Sequence, residues 1–372
     1  MDESGPGAVP RSASGARLDG VDMARAAAVA GMVAVHLRPQ QDEDGRSGVG
    51  DLILNLPYGR ASVLFVLLAG VGVSLLHART PGRGLVPTLL WRAGLLLVMG
   101  LSLQLLDHGA SVILATYAVL FLLAPFLVRL PDRALLVGAG VCWLVGPVVL
   151  VLTDHLRPHG VVQPELGDGL ATVLAALLVT GRYPLVVWVV PFLVGLWLGR
   201  RPLGEARFVR RLGVVGVAAS VTGLVGGWLL SPLAAAAMPW DLGRLASGEG
   251  HSGMPLWLLE SLGLGCVVLA CALAAGLTGA GRRGSWLWPV SAAGRLALTY
   301  YIAHLVLLAL VLRPLQWPPD PWSGIATLAV LTVLALAFAP VWLRTFRHGP
   351  AEFLLRPPTF TRSSGSRARR SS

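Results

Sequence analysis

The sequence predicts an all-α integral membrane protein, a polytopic bundle of about 10 helical spans. Three observations carry that expectation. The chain has 372 residues, of which 55% are hydrophobic and 13% charged, and its mean hydropathy is +0.69. A soluble domain of this size needs a charged surface that such a composition cannot supply. The polar residues also bunch between long apolar runs, which lack the period-two alternation of strands. A backbone in lipid must satisfy its own hydrogen bonds, so helices follow.

Ten runs can be drawn, at 23–37, 61–76, 85–106, 110–128, 134–152, 185–198, 212–230, 256–277, 296–312 and 325–343. A span needs about 20 largely apolar residues. Most runs reach that with their flanks; the first and sixth rely on polar neighbours or on local thinning of the bilayer. All 30 basic residues are arginine, so arginine alone sets the orientation. With the N-terminus inside, the inner segments hold 22 arginines and the outer ones six, leaving out Arg25 and Arg60 at helix ends. That bias predicts N and C termini in the cytoplasm. A crossing by "LATVLAALLVT" at 170–180 would put the Arg200–Arg211 cluster outside, so a re-entrant or interfacial helix on the outer face is expected there. Around the bundle domain, 18–345, lie a low-complexity N-terminal tail, 1–17, expected to be disordered, and a cytoplasmic C-terminal tail, 346–372. No cleavable signal is evident, and a multi-pass protein of the plasma membrane is expected.

The net charge of +11 reads as topology, because the arginines flank apolar spans; no nucleic-acid partner is implied. Cys142, Cys266 and Cys271 lie in apolar runs without metal or disulfide spacing, so no metal site is predicted. Phosphate-binding glycine loops and HExxH are absent from the sequence.

Against this background, residues 22–36, "DMARAAAVAGMVAVH", are unusual. At about 100° and 1.5 Å per residue, Asp22, Arg25 and His36 share one helix face, which runs from the inner end to the outer. Either the pair is interfacial and His36 an ordinary helix-end residue, or the face lines a polar path. Arg60 opens the next run at nearly the depth of His36, where it can anchor a lipid phosphate or hold a substrate oxygen. In "GRLALTYYIAH" at 294–304, Tyr300 shares a face with His304 and Tyr301 lies within about 60° of it. That pattern fits a hydrogen-bonded relay or a structural histidine. Arg295 faces the other way, at the inner end. Loop groups such as Asp107, His108, Asp154, His155, His159, Asp241, Glu249 and His251 can add to an acceptor site.

The stretch "RLDGVDMARAAAVAGMVAVHL" resembles the opening of the bacterial YeiB-like group, related to the membrane domain of heparan-alpha-glucosaminide N-acetyltransferase and more distantly to acyltransferase family 3. "GRASVLFVLLAGVGVSLL", "GRYPLVVWVVPFLVGLWLGR", "GRLALTYYIAH" and the Gly-Pro-x-Glu ending in "FRHGPAEFLLR" are similar to further stretches of the group, in the same order. Ala26 departs from the pattern, which has glycine there. The resemblance implies transfer of an acyl group, acetyl first, from an acyl-CoA donor to a hydroxyl or amine of an outer-side sugar, lipid-linked or small-molecule acceptor. It leaves room for a homodimer beside the lipid bilayer as partner. His36 is then the general base, with His304 as second choice or relay partner and Arg60 or a tyrosine on the oxyanion. Asp22, Arg25, Arg295 and Tyr300 are the candidates for the donor side. A transporter or export component, or a non-catalytic membrane partner, is the competing reading.

Overall fold

The computed structural model describes residues 18–39, 48–80, 84–156, 161, 163–237 and 240–357. The tail 1–17 and residues 358–372 of the tail 346–372 lie outside the described residues, as do Arg46, Arg83, Arg157, His159 and the side chain of Asp241. The regular elements among the described residues are all helical. They are α1 (Asp19–His36), α2 (Val49–Asn55), α3 (Arg60–Arg79), α4 (Leu85–Gln104), α5 (Leu114–Leu127), α6 (Asp132–Leu156) and α7 (Leu170–Ala175), which runs into a π-turn at Ala176–Thr180. Then follow α8 (Leu185–Leu198), α9 (Ala206–Ala237), a 3-10 stretch at Trp240–Ala246, α10 (Pro255–Leu277), α11 (Trp288–Gly294), α12 (Ala297–Leu307, with a π-turn to Leu312), α13 (Pro321–Thr345) and α14 (Pro350–Leu354).

Each of the ten apolar runs falls on one of these helices. Six helical stretches among the described residues are long and apolar enough to cross a membrane, or seven if α11 and α12 count as one bent span. The helices α5 and α8 have 14 residues each, and the 18 residues of α1 include Asp19, Asp22 and Arg25. Outward-facing positions are apolar: Val214, Leu224 and Trp228 on α9 and Val330, Val333 and Leu334 on α13 are all more than half exposed. Water would penalise such a surface, whereas hydrocarbon matches it. The protein is a membrane-embedded helical bundle.

Close packing positions the site. Near Gly70 of α3, an added Cβ would strike the backbone of Phe192 and Leu196 on α8, so the two helices meet backbone to backbone. The first helix packs on α3, α10 and α11 and also touches α12. The segment at 170–180 is a short helix applied to α5, α6 and α8. Val173 and Leu177 join Leu101 and Ala115 in a small core, while Leu170, Leu174 and Leu178 stay exposed.

The bend between α11 and α12 is 74°. It leaves the first N–H groups of α12 without helical partners. Glu352 of α14 supplies them. Its Oε1 accepts from Leu298 N at 2.7 Å and Thr299 N at 3.2 Å, and its Oε2 from the Thr299 hydroxyl at 2.6 Å. A carboxylate also suits the positive end of a helix. Trp91 and Arg92 of α4 donate to the carbonyls of Leu354 and Leu355. The α14 segment therefore clasps the helix that carries His304.

Candidate active site

The last residue of α1 meets the third turn of α12. His36 Nδ1 lies 3.1 Å from His304 Nε2, with ring centroids 5.3 Å apart and planes 8° from parallel. His304 Nδ1 is 3.2 Å from the Tyr300 carbonyl. A carbonyl only accepts, so His304 carries its hydrogen on Nδ1, and in its neutral form Nε2 is an acceptor. His36 therefore donates from Nδ1. The lone pair left over is on His36 Nε2. His304 is buried at 6% exposure, while His36 is only half-buried.

His36 lines a cavity of about 310 Å³. Tyr301, fully buried, lines it too; its oxygen accepts from Ile113 N at 3.2 Å, which leaves its own hydrogen available to donate. His108 is a strut in the same wall. Its Nε2 donates to the Leu103 carbonyl and its Nδ1 accepts from Ala110 N, both at 3.0 Å, so its two nitrogens are spent. Burial, more than anything else, pushes its pKa down, and nearby Arg313 adds to this against the Leu103 bond and Asp107. His251 stands among Tyr58, Tyr183, Trp188 and Trp257, and burial, then Arg182, pushes its pKa down to about 3. Both imidazoles are neutral at pH 7. Three guanidinium groups, from Arg38, Arg182 and Arg313, complete the wall.

Residues 17–230, more than half of the chain, match the family described as heparan-alpha-glucosaminide N-acetyltransferase, catalytic. The chain belongs to that family. Residues 198–362 also match a family described as a protein of unknown function (DUF418). No curated protein matches the chain. The two matched stretches divide the residues around the chamber between them: His36 and Tyr58 fall in the first, His251, Tyr301 and His304 in the second. The 3.1 Å histidine contact joins them.

The other residues expected at an acetyltransferase site are placed as follows. Arg60 is not in the chamber wall. Its Nε and Nη2 bond Glu260 Oε1 at 2.9 and 2.7 Å, and Nη1 donates to the Leu56 carbonyl, so it ties α3 to a carboxylate of α10 that is only 7% exposed. Asp22 and Arg25 pair at 2.8 Å at the opposite end of α1 from His36. Arg295 lies 5.7 Å over the Trp288 ring. Gly294 beside it abuts the Asp22 carbonyl so closely that a Cβ would overlap the oxygen. The Tyr300 phenol donates to the Ala335 carbonyl of α13, so it is the backbone of Tyr300, four residues before His304, that meets the imidazole. A second cavity, about 540 Å³ and almost wholly apolar, is lined by α1, α11, α12 and α13. It touches Ala26 beside Arg25, Ala30, Val33 and Tyr300, and it reaches His304.

Sequence reasoning reached both members of the histidine pair. It counted Arg38, Arg182 and Arg313 only as topological charges, because nothing local in the sequence brings three separate loops together. The Tyr300–Tyr301 doublet was the available signal for Tyr301.

Proposed function

We propose that the protein is a multi-pass acyltransferase of the cell membrane that transfers an acyl group, acetyl in the simplest case, from an acyl-CoA donor to an acceptor at the outer side. The reading includes ten crossings with both termini in the cytoplasm, supported by the helix on every apolar run and by the arginine bias. The observation that carries it is the histidine pair, which fixes one tautomer and leaves the lone pair of a chamber-lining residue on His36 Nε2.

A thioester is already activated, so the protein's work is positioning and proton transfer. As the acceptor oxygen or nitrogen attacks the carbonyl, His36 Nε2 takes its proton. His304 holds the resulting imidazolium through Nδ1–H of His36. The Tyr301 hydroxyl donates to the tetrahedral oxyanion. Collapse breaks the C–S bond, and the proton passes from His36 to the departing thiolate, giving acylated acceptor and free CoA thiol. Arg60 acts at a distance, as a positioning residue that fixes the start of α3 through Glu260. Asp22, Arg25, Arg295 and Tyr300 form the donor side. The apolar cavity from Ala26 to His304 gives the donor's arm a route along α1, a rise of about 16 Å between Arg25 and His36.

The test is acyl transfer, or slow acyl-CoA hydrolysis, by purified protein. His36→Ala is expected to lower the rate by roughly 10²–10⁴-fold; full turnover in that variant removes the mechanism. The 74° break favours one other reading, a translocation path, since transporters use discontinuous helices at their sites. Flux into liposomes without donor consumption would support it.

A further inference from the structure

The outer chamber has a charge asymmetry that acyl transfer alone does not require. Arg38, Arg182 and Arg313 line it, and among the described residues no carboxylate does. Arg38 and Arg182 both lie over the Tyr58 ring, 5.2 and 5.8 Å from its centroid, and Arg182 also donates to the Tyr58 hydroxyl. Among the described residues, the nearest carboxylates line the adjoining cavity or lie at the surface. Asp154 pairs with Arg244 at 2.5 Å in the adjoining cavity, which Glu249 also lines. Asp107 meets Arg313 at 3.4 Å but is 88% exposed, so water screens most of that interaction. Arg313 comes this close because residue 109 is glycine at φ +65°; a Cβ there would overlap the guanidinium.

Guanidinium groups remain charged at any physiological pH, and grouping them in a partly desolvated wall is unfavourable without an anion between them. The neutral His108 and His251 add nothing to offset them. A second observation points the same way. His251 lines the chamber with its Nδ1 buried and without a hydrogen-bond partner, a polar atom that a ligand's hydroxyl or acid could meet. Planar guanidinium forks suit tetrahedral and planar oxyanions alike.

The geometry points to an acceptor that carries an acidic group, a phosphate, sulfate or carboxylate, on the same molecule as the hydroxyl that His36 deprotonates. This rests on the transferase reading and narrows it: a protonated amine is repelled by the chamber, whereas an anionic alcohol is drawn in with its hydroxyl near His36.

The experiment uses the full chain in detergent or nanodiscs, first with inorganic phosphate as probe, then with acetyl-CoA and three acceptors, glycerol 3-phosphate, glycerol and ethanolamine. Phosphate is expected to bind, to weaken by about tenfold in Arg38→Gln and in Arg313→Gln, and to compete with the acceptor and not with acetyl-CoA. Glycerol 3-phosphate is expected to be acylated fastest. The inference is overturned if Arg38→Gln and Arg313→Gln leave phosphate binding unchanged, or if ethanolamine is preferred. It is overturned too if phosphate displaces acetyl-CoA, which would assign the arginines to the donor's phosphates. Arginine-dependent phosphate binding without transfer to any acceptor would remove the transferase reading, and the acceptor with it, while keeping the anion site.

Discussion

The N-terminal end of α12 and the chamber beside its third turn treat polar groups in opposite ways. At the N-terminal end, Glu352 satisfies two backbone N–H groups and a hydroxyl at once, and the nearby Asp22 is paired with Arg25. In the chamber, among the described residues, no hydrogen bond engages Nε2 of His36, His251 has a buried nitrogen with no hydrogen-bond partner, and no carboxylate lines the wall beside Arg38 and Arg182. A complete hydrogen-bond set holds a fold in place; an incomplete one is what a substrate can finish. Arg60 shows the same contrast in one residue type. Half-buried and paired with Glu260, it belongs with the first group although its neighbour Gly59 lines the chamber.

Breaking the structural group is expected to cost stability first. The largest effect is for Arg60→Ala, which leaves Glu260 buried and unpaired, about 3–5 kcal/mol by equilibrium unfolding in detergent. The double variant Arg60→Met with Glu260→Leu is expected to regain most of that loss and to retain acyl transfer. Lost transfer in a stable double variant would instead place Arg60 in the chemistry. Glu352→Ala comes next, at about 1–3 kcal/mol, since the N–H groups of Leu298 and Thr299 lose their acceptor. Turnover falls with it because α12 carries His304, and Glu352→Gln keeps more of both. An unchanged melting temperature in Glu352→Ala contradicts the clasp.

Near neutral pH the smallest effect is expected at His251, which shows itself as a pH dependence on acidification. Its folded pKa, about 3, lies below the ordinary 6.5. Between those values the unfolded chain binds a proton that the folded chain refuses. Stability therefore falls as the pH is lowered through that window, by about 1.4 kcal/mol per pH unit, and is level above it. His251→Phe is expected to flatten the slope by one proton; an unaltered slope assigns it to other groups.

Much of this was legible in the sequence. The ten apolar runs mark ten helices because lipid forces backbone hydrogen bonds inside each segment. The shared face of Asp22, Arg25 and His36 follows from helical periodicity, which cannot say what stands opposite. The partner of Arg60 is 200 residues away on α10, so its engagement was invisible locally. The same holds for Tyr300 and Tyr301, about 100° apart on the helix: only the packing of α12 sends one phenol to α13 and the other to the chamber. The Gly-Pro-x-Glu ending was visible as a motif, but its role depends on the break after Gly294, which no propensity announced.

The central claim is that His36 and His304 work as one unit, with His36 as the base. Single-turnover acyl transfer should be compared for His36→Ala, His304→Ala and the double variant. The account predicts a large loss in the first, a smaller one in the second, and a double variant no slower than His36→Ala alone. Losses that multiply, or a His36→Ala protein that turns over like the parent, would contradict it.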